Sequence, residues 1–325
     1  MKKILLTAVA ALAIVGCSQN EEIEKAGEKA EINFTTIVSK TTRVTPMVTK
    51  DFTTFMVNAY NTTGTDMGPE VALSTKFMVD VTATKSGEAW GIDKDPFYWP
   101  MTDKIQFFAY SPIENVKSYA ATTGYPSFSY AIQDVDAQED LLVAKLENAT
   151  KELYGDKGVS LAFAHILTQI NFSAKLEAGV AYTVTKIVIS GVNNTGTFTY
   201  GAGSATGAWS GASGSESYVY GGKYDAKADA ENPNVVDFST GANALMLLPQ
   251  ALAADAKIAI TYSAVAGGTT TFSGTKEVSL KDQEWVMGKN LRYTLELPSD
   301  ATTVTFKPTV NEWDAEEAGT PNKPA

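Results

Sequence analysis

The chain of 325 residues carries one cysteine, Cys17, and one histidine, His165. A lone thiol cannot close a disulfide within the chain or build a thiolate metal site, so stability has to come from packing. The single histidine, in Leu161-Ala-Phe-Ala-His-Ile-Leu167, would need a nucleophile within reach to act as a base, and ligands drawn from Asp and Glu alone to hold a metal. A half-buried strand histidine bonded to a neighbour is the expected reading, and only a paired-carboxylate mechanism of the glycosidase kind is left to an enzyme. Nothing in the sequence points to such a pair, so the expectation is a protein that is not an enzyme and takes no cofactor. Basic residues are also scarce: 26 Lys and Arg stand against 37 Asp and Glu, a net charge of −11. Nucleic acid and anionic lipid surfaces both select clustered positive charge, so neither is expected as a partner.

Long apolar runs are absent beyond the amino terminus, where Met1-Lys2-Lys3 precedes an apolar stretch from Ile4 to Val15 interrupted by Thr7. About a dozen apolar residues are too few to span a bilayer as a helix, and the pattern reads as a secretory signal over residues 1–16. Ile14-Val15-Gly16-Cys17 resembles a bacterial lipobox, in which the thiol is acylated and the chain is cut between Gly16 and Cys17. An ordinary signal peptide that happens to contain a cysteine is the alternative. At about 0.8 kcal/mol per buried methylene, two or three acyl chains on Cys17 would hold the mature protein on a membrane. Acylation would leave no thiol for nucleophilic chemistry. The acid-rich residues 18–30, including Glu21, Glu22, Glu24 and Glu28, read as a solvated tether.

Helical spacing is rare and alternation is common. Ile32, Phe34 and Thr36 alternate with polar neighbours through about Ser39, followed by the threonine-rich Lys40 to Pro46 with Arg43 exposed to trypsin-like cleavage before Val44. Further strand-like runs are 52–60, 76–84, 104–110, 160–175, 182–190, 257–264, 291–297 and 302–310, separated by Gly, Asn, Asp and Ser turn chemistry. The segment 138–154 fits either a helix or a strand over 140–146 followed by a turn, with the strand preferred. The Gly/Ser/Ala-rich residues 201–223 lack the spacing of a phosphate-cradling loop and read as a long flexible hairpin loop. The fold class is therefore all-β, two β-sandwiches in tandem, with boundaries expected at 44–177 and 178–325. Two further features invite function. Asp134, Asp136, Glu139 and Asp140 crowd one loop without the spacing of a calcium loop. The aromatics Trp90 and Phe97-Tyr98-Trp99 could stack on a sugar if exposed, or form core if buried.

Several strings recur together and in order: the lipobox, a first strand ending in Thr-Thr-Arg43, Phe97-Tyr-Trp-Pro100 leading into 104–112, Asp140-Leu-Leu-Val-Ala144, Phe163 to Phe172, Trp285 to Leu297, and Val304 to Trp313. The whole mature chain thereby resembles the fimbrillin family of bacteroidal type V pili. That resemblance implies two transthyretin-like sandwiches in a pilus subunit or related surface lipoprotein of the outer membrane, which acts in cell adhesion and reaches the fimbrium after processing. It implies a cut between Arg43 and Val44 that removes residues 17–43, and refilling of the vacated groove by a neighbour's strand. The candidate donor lies in 302–313, with Val304, Phe306 and Val310 as inserted side chains. Implied partners are other pilus subunits, the outer membrane through lipid on Cys17, and a host or bacterial surface ligand. The rival reading is a glycan-binding surface lipoprotein that stays anchored.

Overall fold

In a computed structural model, described here for residues 29–38, 52–87, 89–221, 224–227, 235–238 and 244–312, the chain is almost wholly β. Gly16, Cys17, Arg43, Val44 and the tail from Trp313 lie outside the described residues.

The amino-terminal part is a seven-stranded sheet. Its order is β1 (Phe34–Val38), β9 (Val159–His165), β8 (Leu142–Ala149), β5 (Ile105–Ser111), β2 (Thr54–Asn61), β3 (Lys76–Ser86) and β4 (Ala89–Ile92). The β1–β9 pair is parallel and the rest are antiparallel. The two edge strands, β1 and β4, approach each other, so the sheet rolls around an interior of Phe34, Phe52, Phe55, Phe107, Leu161 and Phe163. Central β5, Ile-Gln-Phe-Phe-Ala-Tyr-Ser, is buried on both faces, which is why Phe107 to Tyr110 run apolar without alternation. Phe107 points into the roll and Phe108 points away from it, against Tyr200.

That outer face is covered by a four-stranded sheet of β13 (Gly207–Ser213), β12 (Thr195–Tyr200), β7 (Ser127–Ala131) and β6 (Val116–Ala120). The Tyr200 hydroxyl donates to the Ala109 carbonyl at 2.7 Å, fixing one sheet on the other. The carboxy-terminal part has two further sheets. One runs β16 (Val235–Asp237), β10 (Thr168–Leu176), β22 (Lys289–Leu297), β23 (Thr305–Glu312), with β17 (Leu245–Leu247) beside β10. The other runs β14 (Glu216–Tyr220), β11 (Val180–Val192), β19 (Lys257–Ala266), β20 (Thr269–Ser279), with β15 (Tyr224–Lys227) on β11; a short pair joins β18 (Gln250–Ala251) to β21 (Glu284–Trp285). Strict alternation in β22 sends Leu291, Tyr293, Leu295 and Leu297 inward as expected, and the Tyr182 hydroxyl reaches across to the Leu297 carbonyl at 3.0 Å.

Three expectations are corrected. The single run 160–175 is two strands that part at Ile166-Leu167, β9 joining the roll and β10 the carboxy-terminal sheet. The sheets therefore do not divide at 177/178: β10 precedes that point and pairs with β22, and β7 pairs with β12 across it. No turn signal marks the crossing because it is buried and its main chain is satisfied from elsewhere. Ile166 donates to Leu141, and its carbonyl takes the Trp209 indole N–H at 2.7 Å; the Leu167 carbonyl takes Gly288 N–H at 2.9 Å. Residues 201–223, read as a flexible loop, contain β13 and β14: Trp209, Tyr218 and Tyr220 supply the anchoring rings that the Gly/Ser background obscures. Gly207 is required there, since a Cβ would stand 2.4 Å from the Phe198 ring. In 138–154 the preferred strand-then-turn reading holds, as β8 is followed by the helical turn α1 (Lys151–Tyr154), capped by Thr150.

Candidate functional site

The most specific local arrangement surrounds the first strand. Its alternation Ile32-Asn33-Phe34 puts two large apolar side chains on one side and an amide on the other, and the fold uses all three. Before β1 begins, residues 30–32 pair antiparallel with 97–99: Ile32 N–H donates to the Phe97 carbonyl at 2.8 Å and Trp99 N–H to the Ala30 carbonyl at 2.9 Å, with a bridge at Glu31↔Tyr98. One residue later the chain changes partner. The Asn33 carbonyl accepts Val159 N–H at 2.7 Å, and β1 then runs parallel to β9 from Phe34↔Val159 to Val38↔Phe163. Gly158, at φ +76°, makes this crossing possible, because a Cβ would lie 3.1 Å from the Asn33 oxygen.

The side chains are seated as firmly as the main chain. Ile32 is 2% exposed and Phe34 4%. The Phe34 ring meets Phe55 and Phe107 edge-on at 5.7 and 6.1 Å, the geometry that the aromatic quadrupole favours. Phe55 in turn contacts Trp90 and Phe163, so Phe34 completes a continuous aromatic interior. Burying Ile32 and Phe34 is worth about 1.5–3 kcal/mol each. The segment thus works as a plug, held by main-chain bonds on two sides and by two filled apolar pockets.

The candidate donor strand is placed differently. β23 pairs antiparallel with β22 along Lys289↔Glu312 to Glu296↔Thr305, at the edge of its sheet. Val304 is buried, Phe306 is half-buried with its ring 5.2 Å from Tyr293, and Val310 is 55% exposed. In this single chain Phe306 and Val310 lie in β23 and Val304 just before it, far in sequence from the plug.

The other candidates resolve into structural roles. His165 is buried with Nδ1 2.7 Å from Asp140 Oδ2. That contact withdraws Asp140 from the loop acids, while burial and nearby Glu114 push the Glu139 carboxyl above its usual range. Among the described residues no group of three His, Cys, Asp or Glu is placed to hold a metal. Of the aromatics, Trp99 is 5% exposed, Trp90 packs on Phe52 and Phe55, and Phe97 packs on Phe77. Tyr98 alone of these is open, at 43%, with the Lys29 ammonium 5.5 Å from its ring centre. Trp99 is thus core and Trp90 and Phe97 pack against it, leaving Tyr98 as the one open ring of the proposed sugar-stacking platform, which argues against the glycan-binding rival. The clamp by 97–99 escaped sequence reasoning, because a two-residue bridge across so long a separation leaves no periodic signal.

Comparison with known proteins agrees with this geometry. A family model described as fimbrillin-like matches residues 42–313. The fimbrium subunit Fim1C of Phocaeicola vulgatus is 30% identical over 212 residues, which is 58% of this chain and 55% of that protein, so the chain spans about half of that relative's length. Among solved structures, a fimbrial protein from Bacteroides vulgatus superposes with a TM-score of 0.63 at 19% identity, covering 87% of this chain and 99% of that one. A candidate cell adhesion protein from Bacteroides ovatus gives 0.52 at 15% identity over 89% and 100% of the respective chains. At these identities the likeness to the two structures is one of fold.

Proposed function

Starting from the fact that the chain belongs to the fimbrillin-like family, we propose that it is a pilus subunit, or a fimbrillin-like surface lipoprotein, that assembles by strand exchange and serves cell adhesion. The observation that carries this reading is the plug: Phe34 sits in an aromatic pocket on a short strand whose chain leads directly to Arg43. Cleavage after Arg43 would let residues 17–43 leave with their lipid. Departure would strip β9 and 97–99 of main-chain partners and empty two apolar pockets, and another extended segment would recover both at once.

This chain carries a matching segment. Ile32-Asn33-Phe34 and Val304-Thr305-Phe306 share the order β-branched, polar, phenylalanine, and in each the middle residue is exposed while its neighbours turn inward. β23 is an edge strand with only Val304 and Phe306 seated, so it is among the cheaper strands to release. Val310, 55% exposed, adds an apolar side chain that gives up little burial on release. A strand given to one neighbour while a groove accepts from another makes a head-to-tail contact, which propagates as a filament. Before processing, lipid on Cys17 would hold the precursor on the outer membrane.

An arginine-specific protease at limiting dose provides the test. Trimmed protein beginning at Val44 should form ladders that resist mild denaturant, and Arg43→Ala should stay monomeric under the same treatment. A trimmed chain that remains monomeric at high concentration, or an Arg43→Ala chain that polymerises as well as the parent, overturns the reading.

A further inference from the structure

Strand β9 lies close to both of its neighbours but makes ladders of unequal length with them. On one side β1 is paired to it along five residues, Phe34↔Val159 to Val38↔Phe163. On the other, its ladder with β8 among the described residues consists of Leu142↔His165 and Val143↔Ala164. Both strands continue well past that point, β8 to Ala149 and β9 back to Val159, yet the pairing does not. Because Val159 N–H points at β1, alternation turns the main-chain groups of Ser160, Ala162 and Ala164 toward β8, and of these Ala164 alone lies in the ladder. The side chains of Ser160 and Ala162 alternate outward with those of Val159, Leu161 and Phe163 and are exposed. A cleft of about 190 Å³ opens over this seam, lined by Ala144 and Lys145 of β8, Ala162 and Ala164 of β9, and Ser204 and Thr206 of the β12–β13 turn. Lys145, beside the seam, is turned to Glu147 and to the carbonyls of Gly201 and Gly203.

From this we infer that the main chain of β9 is held in the sheet chiefly by β1, and that β1 and β9 open as one unit along the β8 seam. The slot is then not a rigid groove with a removable cover: loss of β1 leaves the β9 main chain on its last two pairs near His165, with Val159, Leu161 and Phe163 as its remaining hold on the roll. An incoming strand has to order β9 as it binds. The inference deepens the strand-exchange reading, on which it relies for the departure of β1, but its physical content concerns the uncleaved chain alone. A processed subunit has a loosened acceptor wall, so its affinity for a strand is reduced by the ordering of β9.

The test is amide hydrogen exchange followed by mass spectrometry on the full, uncleaved chain, without any partner. Peptides covering 159–163 should share one opening with those covering 34–38 and exchange about tenfold or more faster than peptides from β2, β5 and β8. The second arm uses Phe34→Ala, which weakens the plug without cutting the chain. It should accelerate exchange in 159–163 about as much as in 34–38, leaving 105–111 protected. If β9 keeps the protection of β5 in the parent chain, the inference fails, whether or not the variant folds. If it stays protected in a folded variant whose β1 exchanges freely, it fails as well. Filament formation with a rigid β9 would leave the proposed function standing without this device; a coupled opening in a chain that never polymerises would do the reverse.

Discussion

β1 and β23 are the first and last of the described strands, both lie at a sheet edge, and each is entered through a β-branched residue, Ile32 or Val304, that shares a face with a phenylalanine, Phe34 or Phe306. What surrounds them is different. The amino-terminal segment is gripped on two sides, by 97–99 and then by β9, and its phenylalanine is enclosed by Phe55 and Phe107 inside a rolled sheet. β23 is gripped on one side by β22, its phenylalanine rests against Tyr293 at the rim of a sandwich, and Val310 faces outward. The same short pattern is spent in one place and largely unspent in the other. In a strand-replacing subunit that asymmetry gives direction: the segment to be displaced has to hold firmly until it is cut, and the segment to be given away has to come loose without unfolding its donor.

The sharpest way to break the comparison is to truncate the two rings. Phe34→Ala should cost about 3–5 kcal/mol, because a fully enclosed aromatic leaves a cavity that its neighbours cannot fill. Phe306→Ala, on a half-exposed edge, should cost about 1–2 kcal/mol. Chemical denaturation of the full chain measures both. Equal losses would mean that β23 is as firmly built in as the plug, and the directional argument would fail.

A second contrast uses pH. The roll interior is built from Phe, Trp and aliphatic side chains, with no fully buried tyrosine among its described residues, whereas the carboxy-terminal sandwich encloses Tyr182, Tyr220, Tyr262 and Tyr293. Burial pushes the Tyr293 phenol up to about 12, against a smaller opposing effect of the Trp285 indole N–H, and burial likewise pushes Tyr182 to about 12. A phenol whose pKa is higher folded than unfolded favours the folded state below about pH 10, and that contribution fades as pH rises toward 12. At about 1.4 kcal/mol per unit, Tyr293 alone accounts for about 2–3 kcal/mol. Burial also raises Tyr60 and Tyr110 on the outer face of β2 and β5, Tyr110 to about 12, so between pH 10 and 12 the sandwich under β23 and the seam between the roll and its covering sheet should loosen before the tyrosine-free interior around Phe34. Fluorescence of chains keeping only Trp285 or only Trp99 would follow the two regions, and simultaneous loss would contradict the contrast.

Much of this was legible from the residues, and the limits have physical causes. Alternation in Leu291 to Leu297 and in Ile32-Asn33-Phe34 announced strands with the correct inward faces, because a half-buried strand must separate its apolar side chains by two. The strand-to-turn change after Ala149 was readable for a similar reason. The crossing at Ile166-Leu167 was not, since buried carbonyls there are capped by Trp209 and Gly288 and no Gly or Pro is needed to turn the chain. The glycine-rich 207–220 also misled: its strands owe their order to Trp209, Tyr218 and Tyr220 packing on distant elements, which local composition does not encode. For the site itself, alternation named the strand and Phe34, while its role as a removable segment came only from the resemblance to fimbrillins. The clamp by 97–99 and the short β8–β9 ladder are pairings between remote segments, and no periodicity reports them.

The smallest expected effect on stability is the most telling for assembly. Val310 is exposed on an edge strand and paired only with Leu291, so Val310→Asp should change the unfolding free energy by no more than about 0.5 kcal/mol. If β23 enters a neighbour's emptied slot with Val304 and Phe306 in the pockets of Ile32 and Phe34, its alternation carries Val310 along the same apolar face, where a carboxylate would have to be desolvated without a partner. Trimmed Val310→Asp protein should then stay monomeric under conditions that polymerise the parent. Thr309→Asp, one residue away and on the opposite face, should polymerise normally. Assembly that is indifferent to both, or more sensitive to Thr309 than to Val310, would shift the register or name another strand as donor.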